Sequence, residues 1–228
     1  MIARGLTISA LAIAAMAAMS AWGWMMTSAD AQIPVHWSAT GEVNRYGSRL
    51  EAFTTMPIVA IVISLLLAFA PKIDPRGRNL AKSGPLLMTV WMGTLALLVV
   101  AHLALVLSAT GTLDPESPIL PRIILIAVAL FLAVLGNLLG KARPNWFVGV
   151  RTPWTLSSDH SWDVTHRWAG RGFVATGLVG GAAILFTPVE VGLMIFFGLL
   201  GATAIGAVVL SFLAWRSDPD RETYSEAE

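Results

Sequence analysis

The chain has 228 residues, of which 13% are charged, 15 Lys or Arg and 14 Asp or Glu, whereas soluble domains average about 25%. Hydrophobic residues make up 56%, and the mean hydropathy is +0.70. This composition excludes a water-soluble globule, whose surface needs charge, and a disordered chain, which needs low hydrophobicity. It predicts an all-α integral membrane protein. Cysteine is absent, which excludes disulfides, thiolate catalysis and iron–sulfur clusters.

Six uncharged runs approach the length of about 20 residues that a helix needs to cross a bilayer. They are residues 6–26, 52–71, 83–110, 123–140, 172–189 and 191–215. The first run could instead be a signal peptide, with Arg4 as its basic start and Ala29-Asp30-Ala31 as a cleavage site. Its length favours a retained helix. The last two runs could form one long helix, but Pro188 and the combined length favour a helical hairpin.

The basic residues predict the orientation of these spans, because Lys and Arg concentrate on the cytoplasmic side. With both termini cytoplasmic, twelve of the 15 basic residues lie inside, and only Arg45, Arg49 and Arg122 lie outside. The order of spans and long loops along the chain also fits an inverted three-plus-three repeat. Any six-helix protein with two long loops would show the same order.

This topology predicts two halves and a tail. Residues 1–119 form an N-terminal three-helix half with an extracytoplasmic loop at 27–51, and residues 120–216 form a second half with a cytoplasmic loop at 141–171. Residues 217–228 are predicted to be a flexible acidic tail.

The cytoplasmic loop at 141–171 is rich in Trp and Arg, which suit the headgroup level and anionic lipids. Its Pro and Gly residues predict an ordered loop, although an aromatic and basic membrane anchor would have a similar composition. Ser157 or Ser158 can cap a short helix towards Arg167. Three residues on one face of this helix are weak candidates for metal ligands. An ion pair of Asp163 with Arg167 or His166 is favoured instead. The weak metal set is Asp159, Asp163 and His166.

Two other histidines are candidate functional groups. His36 lies in the outer loop beside Trp37, where a structural hydrogen bond is expected. His102 lies inside the third span, where an ionisable group is costly and often faces a polar interior, and Asn137 is a candidate companion for it. A packing role for His102 is the alternative. No nucleotide, metalloprotease or nucleophile-elbow motif is present, so no catalytic residue and no cofactor are predicted.

Several of these segments together resemble a known family. GNL at 136–138 and PNWFVGVRTPWTL at 144–156, followed by Trp162, Thr165 and His166, resemble the signature of the SdpI family of bacterial multi-pass membrane proteins. IPVHW at 33–37, Gly41-Glu42 and NRYGS at 44–48 resemble a small uncharacterised domain that often precedes it. Tyr46 stands where a Trp is expected.

The resemblance implies a protein of the bacterial cytoplasmic membrane that gives immunity to a secreted antimicrobial peptide. It also implies signalling, by holding a transcriptional repressor at the cytoplasmic face, without direct nucleic-acid binding. The predicted outer site residues are His36, Trp37, Gly41 and Arg45. The predicted inner site residues are Asn137, Pro144, Asn145, Trp146, Gly149, Arg151, Thr152, Pro153, Trp154, Trp162 and His166. The alternatives are a small-solute or ion transporter and, less favoured, a membrane-embedded metal-dependent enzyme.

Overall fold

In a computed structural model, residues 1–38 and 42–221 are described, and six helical spans within them are long and apolar enough to cross a bilayer. They are Ile2–Met26 (α1), Arg49–Ile73 (α2), Gly84–Ala109 (α4), Ile119–Leu139 (α5), Asp159–Phe186 and Val189–Ser217 (α9). The short helices Gly77–Lys82 (α3) and Pro153–Leu156 (α6) lie between spans. The prediction of an all-α, multi-pass membrane protein is therefore confirmed.

The fifth span is longer than its apolar run predicts. It begins at Asp159 and comprises α7 (Asp159–Ala175), a π-helical segment (Thr176–Gly180) and α8 (Gly181–Phe186). The helix predicted to begin near Ser158 is thus continuous with the membrane span, so the second part of the predicted loop at 141–171 is helical. Ser158 is the N-cap, and its hydroxyl accepts a hydrogen bond from the Ser161 amide.

The last two spans form the predicted helical hairpin rather than one long helix. Thr187 has extended backbone angles, and Pro188 precedes the first turn of α9. Pro188 cannot donate the backbone hydrogen bond that would continue a helix.

The loop at 27–51, predicted to be extracytoplasmic, contains a β-hairpin that its sequence pattern did not predict. Strand β1 (Ile33–Trp37) pairs antiparallel with β2 (Val43–Gly47), with an irregular register around His36. Ile33 is buried against Phe53 of α2 and Val106 of α4, so the hairpin is packed onto the ends of two spans. A two-stranded hairpin needs such support, because it is at best marginally stable alone.

The helices pack as two groups of three that meet through α4 and α5. In the first group α1 contacts α2 and α4, and the indole of Trp91, fully buried, donates to Ser9 of α1. In the second group α7 contacts α5 and α9. A Cβ at Gly136 would lie 2.5 Å from the carbonyl oxygen of Gly170, and the converse distance is 2.6 Å. These glycines therefore permit the close crossing of α5 and α7.

Both ends of the described chain lie on the side of residues 141–158. Met1 is next to Gly84 at the start of α4, and Asp218, which follows α9, bonds to Ser158. The beginning of the predicted flexible tail is therefore ordered, because Asp218 is buried and Arg221 stacks over Trp215. Residues 222–228 lie outside the described residues. The cytoplasmic assignment of this side and the inverted repeat remain predictions.

Candidate functional site

The loop between α5 and α6 is organised around Asn145, whose side chain is fully buried. Its Oδ1 accepts hydrogen bonds from the amides of Phe147 (2.9 Å) and Val148 (2.7 Å). Its Nδ2 donates to the carbonyls of Arg143 (2.8 Å) and Val148 (3.1 Å). One amide side chain thus satisfies four backbone groups that lie outside any helix or strand, and it fixes the loop's path.

His166 holds the next part of this loop. The Val150 amide donates to its Nε2 at 2.9 Å, so Nε2 is an acceptor and the proton lies on Nδ1, which donates to the Trp162 carbonyl at 2.8 Å. The imidazole stacks on the Trp162 ring, with centroids 3.9 Å apart, and the Trp162 indole donates to the Ala142 carbonyl at 2.9 Å. Each ring nitrogen of His166 therefore makes a hydrogen bond to the backbone, and His166 acts as a neutral structural residue.

Gly149 is required by the same contact. Its φ is +124°, a backbone conformation that L side chains rarely adopt. A Cβ there would also collide with His166 Nε2 and lie 3.3 Å from the Trp162 ring. The predicted residues Asn145, Gly149, Trp162 and His166 are thus brought together, as the interior of the loop.

Arg151 and Trp146 lie on the outside of the loop. The guanidinium of Arg151 donates to the carbonyls of Trp146 (2.9 Å) and Phe147 (2.7 Å), yet the residue remains exposed. The Trp146 side chain is 50% exposed, although its amide is held by Asp74. The loop therefore presents a fixed cation and an exposed indole, two residue types that are enriched at interface hot spots.

Thr152, Pro153 and Trp154 begin α6 and attach it to α9. Thr152 and Thr155 form a reciprocal capping box, and Pro153 occupies the first turn. The Thr152 hydroxyl donates to Ser211 Oγ at 3.1 Å, and the Trp154 ring packs edge-on against Phe212. These contacts hold the loop against the last span.

Residues of the first half, which were not among the predicted site residues, hold the loop from the other side. Asp74 accepts from the Trp146 amide at 3.1 Å, and Asn79 Nδ2 donates to the carbonyl of buried Pro144 at 3.1 Å. Ser83 Oγ accepts from the Arg143 amide at 2.9 Å. The short spacing of Asp, Asn and Ser in a turn-rich segment was visible in the sequence, but their partners lie 60 to 72 residues away.

The weak metal set does not converge. His166 is buried and occupied, whereas Asp159 and Asp163 are exposed on α7. Among the described residues, no group of three or more His, Cys, Asp or Glu is placed to hold a metal ion. The favoured ion pair of Asp163 with Arg167 or His166 is wrong, because Arg167 Nε donates to the backbone carbonyl of Asp163 at 3.2 Å instead.

The hairpin presents most of its polar side chains to solvent. His36 Nδ1 contacts Asn44 Oδ1 at 2.6 Å, the structural hydrogen bond expected for His36, and Arg45 pairs with Glu51 at 2.5 Å. The Trp37 indole donates to the Pro115 carbonyl at 2.8 Å, which tethers β1 to the loop between α4 and α5. The predicted site residue Gly41 lies outside the described residues.

The proposed pairing of His102 with Asn137 is wrong. His102 is fully buried, and its Nε2 lies 2.9 Å from Ser20 Oγ of α1. That hydroxyl also lies 2.7 Å from the Phe53 carbonyl of α2, so the histidine joins three helices of the first half. Asn137 is exposed on α5. His102 and Asn137 therefore do not form the predicted polar pair.

Comparisons with known proteins agree with the predicted resemblance. A model of the SdpI/YfhL protein family matches residues 141–211, and a model of a domain of unknown function (DUF1648) matches residues 11–61. The immunity protein SdpI of Bacillus subtilis (strain 168) is 26% identical over 158 residues, which are 68% of this chain and 70% of that protein. No solved structure gives a significant match. The first match spans the loop at 141–158, which we call the inner loop after its predicted side, together with the fifth span and most of α9. The resemblance to the SdpI family is confirmed.

Proposed function

We propose that this protein protects the bacterial cytoplasmic membrane against a secreted antimicrobial peptide and reports the peptide's arrival to a cytoplasmic transcriptional repressor. The similarity over 158 residues to a protein named for immunity carries this proposal. Under this proposal, the hairpin (Ile33–Gly47) binds the peptide, and the inner loop (141–158) binds the repressor. The two segments lie at opposite ends of the spans.

The inner loop has the properties of a protein-docking surface. Its interior is fixed by Asn145 and His166, so little conformational entropy is lost when a partner binds. Its exterior presents Trp146 and Arg151, and Trp and Arg are the residue types enriched at interface hot spots. An exposed indole that is held in place by its own backbone is suited to insertion into a partner's pocket.

The hairpin has the properties of a surface that receives an amphipathic peptide. His36, Asn44, Arg45 and Tyr46 are exposed on it, while Ile33 is buried on the side of the spans. The hairpin therefore offers cationic and aromatic groups next to the apolar ends of the helices. A membrane-active peptide has the same combination of polar and apolar surface.

A two-part assay in a sensitive bacterial host tests this division. Survival under a membrane-active peptide reports protection, and the transcriptional response to the peptide reports signalling. We expect Arg151→Ala to lose the transcriptional response and keep survival, and His36→Ala to lose both. Arg143→Ala, which removes a charge from the same loop, and Glu116→Ala, in the exposed loop beside the hairpin, are the matched controls.

The result that contradicts the division is a loss of survival in Arg151→Ala, or an unchanged survival and response in His36→Ala, when both variants are inserted normally. Protection accompanied by peptide or ion flux through the protein in liposomes would instead support a transporter. Loss of protection in the two control variants would show that the assay reports membrane insertion alone.

A further inference from the structure

An apolar cavity of about 310 Å³ lies beneath the hairpin. Its walls come from the hairpin-side parts of α2, α4, α5 and α9, and β1 forms its roof. Its lining includes His36 and Trp37 in the roof and Ala104, Ile124, Leu193 and Phe197 in the walls. Its volume lies at the lower end of the range of about 300–1,000 Å³ that is usual for small-molecule sites.

The cavity offers water very few partners. The side-chain polar groups come from the roof residues His36, Trp37 and Ser38. His36 Nδ1 is bonded to Asn44, and the Trp37 indole is bonded to the Pro115 carbonyl. A buried water needs two to four polar partners, and apolar cavities without them stay dry. The walls are therefore suited to hydrocarbon.

The cavity also reaches the surface of the protein where lipid is available. Phe197, one wall residue on α9, is 52% exposed, and His36 at the roof is exposed as well. The walls belong to membrane-spanning helices, so the neighbouring medium on the α9 side is acyl chain, while the roof lies at the level of the polar hairpin. A molecule with a polar head and one long apolar chain matches both surroundings.

We propose that this cavity binds one acyl chain of a membrane phospholipid, with the headgroup next to the hairpin at His36. The inference does not depend on the proposed immunity function. The bound chain fills the volume between the two three-helix groups and supports the hairpin from below.

Photolabelling tests the site directly. The full chain is reconstituted in nanodiscs that contain a phospholipid with a diazirine near the middle of one acyl chain, and the labelled residues are mapped by mass spectrometry. We expect labels on wall residues of α4, α5 and α9, among them Ala104, Ile124 and Leu193. Ala104→Phe, which fills the cavity, should lose most of this labelling. Ala202→Phe, at an exposed position of α9, should keep it.

Ile124→Trp fills the same volume from the opposite wall and keeps the test valid if Ala104→Phe does not fold. Equal labelling of the wall residues in the filled variants and in the wild type would overturn the proposal. So would labels confined to residues outside the cavity. Labelling by a diazirine-bearing free fatty acid, with none from the phospholipid, would overturn the assignment to a membrane lipid.

Discussion

The inner loop and the outer hairpin use the same residue types in opposite ways. In the inner loop Asn145 and His166 are buried, and each holds backbone groups of the loop. In the hairpin Asn44 and His36 are exposed and bond mainly to each other. A residue that belongs to a family signature can therefore be a structural support in one segment and a candidate contact in the other. Burial and hydrogen bonding distinguish the two roles.

The largest expected effect is that of Gly149→Ala. The substitution places a Cβ against His166 Nε2 at a φ of +124°. Strain and overpacking each cost about 1–3 kcal/mol, so unfolding in detergent should shift clearly to lower temperature. Gly198→Ala, where a Cβ meets no atom within 4 Å, is the control and should leave the midpoint nearly unchanged. A small shift for Gly149→Ala would mean that the inner loop is not rigid.

A matched pair of asparagines tests the comparison directly. Asn145→Ala leaves four backbone groups of the inner loop without their partner. The two groups of Val148 are buried, and a buried group costs about 1–3 kcal/mol when it finds no other partner. Asn44→Ala removes one exposed contact and should cost well under 1 kcal/mol by the same principle. The free energy of unfolding of both variants gives the answer. Similar losses of unfolding free energy in the two variants would contradict the distinction between structural supports and candidate contacts.

Acidification should detach Asp218, which follows α9, from Ser158 of the inner loop. The Ser158 hydroxyl, which donates to the carboxylate, holds the pKa of Asp218 below its ordinary value. The stabilisation is therefore complete above the ordinary pKa of about 3.9 and is lost as the pH falls through the lower folded-state pKa. Limited proteolysis after α9 should increase in that window in the wild type. Asp218→Asn should show the increase at neutral pH, whereas the neighbouring Asp220→Asn should behave as the wild type.

The smallest effect is expected at the ion pair of Arg45 with Glu51. Both side chains are exposed, and exposed pairs contribute about 0–1 kcal/mol. Arg45→Ala should therefore leave the unfolding midpoint almost unchanged, at low and at high salt. A large loss of stability would place Arg45 among the structural supports and would remove it as a candidate contact.

The spans were predictable because each is a long apolar run, and Ser158 was predictable as a cap because a local rule governs caps. The β-hairpin was missed because β1 is short and contains Pro34, although a five-residue connection with Gly41 is a hairpin signal. The partners Asp74, Asn79 and Asp218 were missed for another reason. Their bonds join segments that are distant in the chain, and no local pattern encodes them.

The fold brings together several residues that the family signature singled out, and their functional role remains a prediction. The signature pointed to Asn145, Gly149, Trp162 and His166, which the fold does bring together. The metal site suggested for one face of α7 is not formed by the described residues. Helical spacing predicts which residues share a side of a helix, but it does not predict whether that side is buried. Asp159 and Asp163 face outward, while His166, one turn further, faces the core.

The π-helical segment Thr176–Gly180 gives the fifth span one residue more than a regular α-helix would use over the same turn. Removal of one residue there can leave the helix in phase on both sides, whereas removal elsewhere in the span would rotate every later side chain. Evolutionary gain or loss of single residues is therefore tolerated best at this point. When homologous sequences are aligned, a one-residue gap within the fifth span belongs at 176–180.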